Sequence, residues 1–368
     1  MDLHRHPFDE GTITKLEIFE AYAKEWLPVF VMSSLKHICI FDLFAGTGRD
    51  QNGVPGSPIR IMKQIYGMLD NIVSRNKHIN LWLNEYDVAK FELLQTHCQK
   101  FISEYPNLQD AVEKKIVNIK YTHDDFAVLF PKLVNIIKSY PSLVFLDQNG
   151  IKFLSEQYFQ ELVTSSTVDF LYFVSSSYFY RFGELPEFKM NVQIDMQRAK
   201  ENPYRFIHRS LLEQLREKIP TDSNVKLYPF TIMKGSNVYG IIFGASHPLA
   251  VDKFLNVAWK RNSINGEANF DIDEDKLKAQ LSLFEDKKPT KKEAFSILLR
   301  DKILQRELIT NEDVYLFTLD QGHIPSHATD VLKQLKRERL VDYAPSSPLI
   351  SYDQIFKNHR IITYQIRK

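Results

Sequence analysis

The feature that most constrains this chain is the stretch from Ile38 to Arg49, in which the β-prone run Ile38-Cys39-Ile40-Phe41 gives way to Asp42-Leu43-Phe44-Ala45-Gly46-Thr47-Gly48-Arg49. A buried strand that stops at an acid and opens into a small-residue turn is how a doubly wound α/β sheet makes a ligand crevice at its carboxyl edge. Gly46 and Gly48 admit backbone angles closed to other residues and let a ligand approach the main chain. A dinucleotide site would need three glycines spaced G-x-G-x-x-G and a helix N-terminus receiving pyrophosphate. Here there are two, and Asp42 stands where it would repel a phosphate. A carboxylate at that place suits the ammonium group of an amino-acid moiety.

The elements that follow alternate as an α/β fold requires. Thr12 to Ser33 carries Ile13, Leu16, Phe19, Ala23, Trp26, Leu27 and Phe30 at helical spacing, with Thr12 or Thr14 as cap. This helix covers one face of the sheet, or else Lys15 near its start points into the crevice. After Gly48 come Gly53, Pro55, Gly56, Ser57 and Pro58 and then a helix from Ile59 to about Leu69, with Ser57 expected as its cap and Pro58 at its start. Gly56-Ser57-Pro58 is either punctuation or part of the site lining.

A second strand, Ile79 to Leu83, leads to Glu85, an acid placed to accept from ribose hydroxyls. The third strand, Val117 to Tyr121, precedes Asp124-Asp125-Phe126, where Asp124 or Asp125 is placed to cap the next helix. The fourth, Leu143 to Leu146, ends at Asp147-Gln148-Asn149-Gly150 and should lie beside the first. Asp147 and Asn149 are thus candidates to hold an amine or hydroxyl at that edge. Phe170 to Val174 is a fifth strand, followed by the aromatic run Tyr178-Phe179-Tyr180-Arg181-Phe182, which stacks on bases or packs under a lid. Val225 to Met233 and Val238 to Phe243 read as a closing hairpin.

The last quarter changes character. Lys287-Lys288-Pro289-Thr290-Lys291-Lys292 reads as the end of a basic linker over 276–292, dividing a domain at 1–275 from one at 293–368. Three helical patterns, Glu293 to Gln305, Asn311 to Thr318 and Ser326 to Arg339, precede two β-prone stretches, the order of a winged helix. Asn311 and Ser326 are the expected caps. Lys333, Lys336, Arg337 and Arg339 lie on the third helix, the element that enters the major groove when such a domain binds DNA. Glu338 sits among them, and winged helices also serve protein contacts.

Composition narrows the field further. The net charge of the 368 residues is +1, so any nucleic-acid binding must come from a local patch. Cys39 and Cys98 are the two cysteines, too few for a disulfide framework or a four-thiolate metal site, and no metal is expected. The chain lacks a run approaching the roughly 20 apolar residues of a membrane span, from which a soluble cytoplasmic protein is expected.

Several features carry a resemblance. Asp42-x-Phe44-Ala45-Gly46-x-Gly48 resembles the first motif of S-adenosylmethionine (SAM) dependent methyltransferases. Together with Gly56-Ser57-Pro58, the acid after the second strand and the winged-helix-like tail, it resembles the three-Cys-motif partner (TcmP) family. Thr14-Lys15, His247-Pro248 and Val257-Ala258-Trp259-Lys260 add to that resemblance. The resemblance implies a seven-stranded Rossmann-like SAM-methyltransferase fold with a C-terminal winged-helix domain, and a partner that is a radical iron-sulfur protein bearing three clustered cysteines. It implies that Asp42, Phe44, Ala45, Gly46 and Gly48 hold the methionine part of SAM, Glu85 the ribose, and Asp125 with Phe126 the adenine. Asp147 and Asn149 would serve catalysis, and Lys15, Ser57, Lys333, Lys336 and Arg337 the substrate, a nucleic acid modified at an adenine N6 or a related amine. Gln148 and Asn149 depart from the Asp-Pro-led turn of such enzymes, so the aromatic that stacks the acceptor must come from elsewhere.

Overall fold

The computed structural model describes residues 7–147, 156–182, 194–280 and 288–367. Two compact units divide after His247.

In the first unit, α1 (Glu10–Val31) is followed by β1 (His37–Asp42), α2 (Ser57–Gly67), α3 (Leu69–Ser74), β2 (His78–Asn84), α4 (Val88–Ser103), α5 (Pro106–Glu113) and β3 (Val117–Thr122). Then come α6 (Phe126–Ser139), β4 (Ser142–Leu146), α7 (Glu156–Val163), β5 (Val168–Val174), α8 (Ser176–Phe182), α9 (Met196–Lys200), α10 (Ile207–Glu217), β6 (Lys226–Lys234) and β7 (Asn237–Ala245). The strands form one seven-stranded sheet in the order β3-β2-β1-β4-β5-β7-β6. β1 pairs in parallel with β2 and β4, and β4 with β5, whereas β7 runs antiparallel to β5 and β6. This is the seven-stranded Rossmann-like methyltransferase fold that the resemblance implied. Its strand order reverses between β1 and β4, the switch point where such sheets open a crevice at the carboxyl edge.

The central strands are buried on both faces, as a sheet covered by helices demands: all five residues of β4 and five of the six in β1 are buried. Tyr22 and Trp26 of α1 are buried as well, and Tyr22 donates its hydroxyl proton to Asp169 at 2.6 Å. Burial lifts the Asp169 carboxyl to about 7. The helix starts differ from expectation in an instructive way. Asp9, not Thr12 or Thr14, caps α1 by accepting from the Thr12 backbone N–H, and Gly56 holds the cap position of α2 with Ser57 inside the first turn. Pro106 opens α5, since proline costs nothing at a helix position whose N–H has no partner anyway.

The second unit contains α11 (Pro248–Arg261), α12 (Asp275–Gln280), α13 (Lys291–Leu304), α14 (Asn311–Asp320), α15 (Pro325–Arg337) and the antiparallel pair β8 (Val341–Asp342) and β9 (Gln365–Ile366). Thr310 bridges Thr363 beside that pair. Three helices and this small sheet make a winged helix. Its second and third helices are capped otherwise than expected: Thr310 forms a capping box with Asp313, and Pro325 opens α15.

The compact units thus divide well before the expected boundary at residue 275, and the reason is Trp259. Its indole N–H donates to the Gly322 carbonyl at 2.9 Å, and Lys291 and Lys292 lie over its ring at 5.3 and 5.1 Å. α11 therefore packs with the winged helix. The stretch expected as a linker holds α12, and Lys291 is tied to Glu267 and the Asn265 carbonyl.

Candidate functional site

The carboxyl ends of β1 and β2 meet around Asp42. This residue has 0% exposure; its Oδ1 lies 3.4 Å from the Phe44 N–H, and Oδ2 is buried without a hydrogen-bond partner among the described residues. Burial raises its carboxyl to about 7; a Ser57 hydroxyl contact pulls it down, while the charges of Asp147 and Glu85 push it up. Those causes show that Ser57, Asp147 and Glu85 all lie within electrostatic reach of one carboxylate.

The turn that follows is built for close approach. Gly46 and Gly48 take φ of +62° and +78°, a region that costs an L side chain roughly 1–2 kcal/mol. Gly56 folds back so that its N–H donates to the Gly48 carbonyl at 2.9 Å. A Cβ on Gly56 would come within 3.2 Å of that carbonyl oxygen, so the Gly-Ser-Pro element is part of the turn's wall and not mere punctuation. From the other side His97 of α4 bonds the Thr47 carbonyl at 2.7 Å.

Glu85 reaches the same turn. Its Oε2 accepts from the Gly46 N–H at 3.0 Å and its Oε1 from the Asp87 N–H at 2.9 Å. Behind it stands Asn84, a residue with no sequence signal of its own. The Asn84 side chain donates to the carbonyls of Leu43 and Asp124 and accepts from the Thr122 hydroxyl and the Asp124 N–H, while its backbone carbonyl accepts from Ala45. One 2% exposed amide thereby locks the loops after β1, β2 and β3 together. Asp125 caps α6 through the Ala127 N–H at 2.7 Å and keeps partial exposure. Phe126, at 2% exposure, turns its ring into the core, stacked on Phe44 at 5.0 Å.

The acceptor side is held differently. Asp147, at the end of β4, forms an ion pair with Lys15 of α1, the two side chains being 17% and 8% exposed. Lys15 Nζ also lies 4.3 Å from the Phe173 ring centroid, and Asp147 Oδ1 is buried without a partner among the described residues. Lys15 is thus the counter-ion of Asp147 at the carboxyl end of β4. Asn149 lies outside the described residues.

Of the winged-helix cations, Lys333 and Arg337 are exposed. Lys336 is not available in the same way: its Nζ donates to the Tyr343 carbonyl at 2.6 Å and lies over the Tyr343 ring at 4.0 Å. Glu338 pairs with Arg300 at 2.5 Å. Among the described residues no cluster of His, Cys, Asp and Glu could hold a metal ion, and no helix is long and apolar enough to cross a membrane.

Residues 269–348 match the GMT-like wHTH domain family. No curated protein matches the chain. Two solved structures are similar to it at low identity. A putative O-methyltransferase from Klebsiella pneumoniae shares 11% identity over 65% of this chain and 90% of its own, with a TM-score of 0.31. The O-methyltransferase TomG from Streptomyces achromogenes, involved in tomaymycin synthesis and solved in complex with SAM, shares 9% identity over the same fractions with a TM-score of 0.33. Scores this low leave the fold assignment to the strand order itself.

Proposed function

We propose that the chain is a SAM-dependent methyltransferase whose acceptor is an amine on a nucleic acid base. The observation that carries this reading is the fully buried Oδ2 of Asp42, without a partner among the described residues, on the residue that leads from β1 into a two-glycine turn at the sheet's switch point. A buried carboxylate oxygen without a donor is costly unless a ligand supplies one, and the ammonium of an amino acid does so with charge. Asp42, Phe44, Ala45, Gly46 and Gly48 hold the methionine part of SAM. Glu85, steadied by the Gly46 and Asp87 N–H groups, keeps lone pairs for the ribose hydroxyls, and Asp125 with Phe126 flanks the adenine. Bound there, SAM supplies the electrophilic methyl group. The chain's own contribution is positioning: Asp147 and Asn149 orient the acceptor, Ser57 walls the turn, and Lys333 and Arg337 offer phosphate contacts.

A second reading has one observation in its favour. The Lys15–Asp147 ion pair sets a cation beside the acceptor position, which suits a domain that holds SAM without transferring its methyl, as the cytoplasmic partner subunit of a three-Cys-motif radical iron-sulfur protein. Calorimetric titration of SAM into the full chain, followed by tritiated-methyl transfer to total RNA and DNA with Asp147→Ala as control, separates the readings. Transfer lost in the variant establishes the enzyme. SAM binding without transfer, with and without a three-Cys-motif protein, establishes the second, and no SAM binding rejects both.

A further inference from the structure

We propose that the outer edge of β3, with the groove between it and α4, is a docking site for an extended acidic segment of another protein, taken up as one more strand of the sheet. The inference is independent of methyl transfer and assigns an interaction surface.

β3 stands at the end of the strand order and pairs, among the described strands, with β2 alone. The carbonyls of Ile116 and Thr122 accept from the Ile79 and Glu85 N–H groups on the β2 side, at 2.9 and 3.2 Å. By the two-residue alternation of a strand, the backbone groups of Val117, Ile119 and Tyr121 turn the other way, where no described strand meets them. An extended chain laid along that edge pairs with these groups, and main-chain bonds of this kind supply affinity whatever the sequence.

The ground beside the edge is hollow. A groove of about 650 Å³ opens between Tyr121 and the outer face of α4, where Gln95, Gln99 and Ser103 stand one helical turn apart beside Lys100. Its walls carry amides, hydroxyls and one cation, and no acid. A strand edge flanked by such a groove seats alternate side chains of an added strand. The others come beside Lys120, on the opposite face of β3 from Tyr121, its Nζ 4.4 Å from the Trp82 ring centroid. Lys114 is paired with Asp110, whereas Lys100, Lys115 and Lys120 are exposed and have no carboxylate partner among the described residues.

That charge chooses the occupant. A second copy of this chain would bring the same lysines together along the joint, and like charges across paired strands are unfavourable; lysine on an edge is a device against self-pairing. Phosphate would answer the lysines but not the outward carbonyls, which need donors at strand spacing. A strand carrying Asp or Glu satisfies both.

The test is fluorescence anisotropy of the full chain with a fluorescein-labelled peptide in which Glu alternates with Thr and Val. Two further peptides serve as comparison, one with Lys in place of Glu and one N-methylated through its centre so that it cannot donate main-chain bonds. The Glu peptide should bind saturably and the Lys peptide should not. N-methylation should weaken binding roughly tenfold, the loss of one or two hydrogen bonds, and Lys100→Glu and Lys120→Glu should each weaken it about threefold. No binding of the Glu peptide, equal binding of the N-methylated one, or both variants binding like wild type overturns the proposal. Single-stranded RNA that displaces the Glu peptide and binds more tightly would assign the edge to nucleic acid instead. A dimer in sedimentation that the Glu peptide dissociates would assign it to a second copy, and either result overturns the proposal as well.

Discussion

The two halves of the carboxyl edge are organised on opposite principles. Around β1, β2 and β3 the site is a mesh of hydrogen bonds, mostly to backbone, in which Asn84, Glu85 and His97 each fix a neighbouring loop. Around β4 and β5 the charged side chain of Asp147 is met, among the described residues, by one counter-ion, Lys15, from a helix well over a hundred residues earlier in the chain. The first half resists the loss of any one contact. The second depends on one, and its substitutions should therefore have the larger effects.

Lys15→Met is the sharpest way to break that comparison. Removing one partner of a largely buried ion pair strands the other, at a cost of about 3 kcal/mol, while Lys15→Met/Asp147→Asn should regain most of it. Urea denaturation of the two variants reads the difference. A single variant as stable as wild type would mean that Asp147 finds solvent or another donor, and the two halves would not differ as described.

Asp42→Asn tests the other half. The fold should survive, because the carboxylate is unfavourable there: a carboxyl held at about 7 keeps its proton where the unfolded chain, at about 4, has lost it. Between those values the free protein loses stability as pH rises, and the Asn variant should lose less. A cationic ligand reverses the sign, since it needs the carboxylate. SAM affinity of wild type should fall several-fold from pH 7.5 to 6, and Asp42→Asn should bind roughly 30-fold more weakly, the loss of one charged hydrogen bond worth about 2 kcal/mol. A flat affinity profile across that range in wild type would remove Asp42 from the ligand.

These differences also explain what could be read in the sequence. Asp42, the two glycines and Gly56-Ser57-Pro58 act through local backbone geometry, so their spacing carried the information, and Gly48→Ala should cost about 1 kcal/mol through its positive φ alone. The alternation of helix and strand patterns placed the fourth strand beside the first and the hairpin at the end, while the full seven-stranded order came only with the resemblance. Asn84 was illegible because nothing about an Asn ending a strand announces a hub; only the convergence of three loops makes it one. The Lys15–Asp147 pair needed tertiary structure, joining α1 to the end of β4. Phe126, read as an adenine neighbour, also packs its ring on Phe44, a contact that pattern alone does not show.

The winged helix offers the mildest and most discriminating case. Lys333, Lys336 and Arg337 share one basic helix end, and by sequence they are equivalent. In the structure Lys336 is spent internally on the Tyr343 carbonyl and ring, whereas Lys333 and Arg337 face solvent. If the domain binds nucleic acid, Lys333→Ala and Arg337→Ala should each lower affinity a few-fold and reduce the salt slope by about one with melting temperature unchanged. Lys336→Ala should instead leave the slope alone and destabilise the domain by about 1 kcal/mol, the net worth of one hydrogen bond. Fluorescence anisotropy against salt, paired with thermal melts, gives both numbers for each variant. Three variants that behave alike would mean that Lys336 leaves the wing to meet phosphate, and that the helix is read by its charge rather than by its packing.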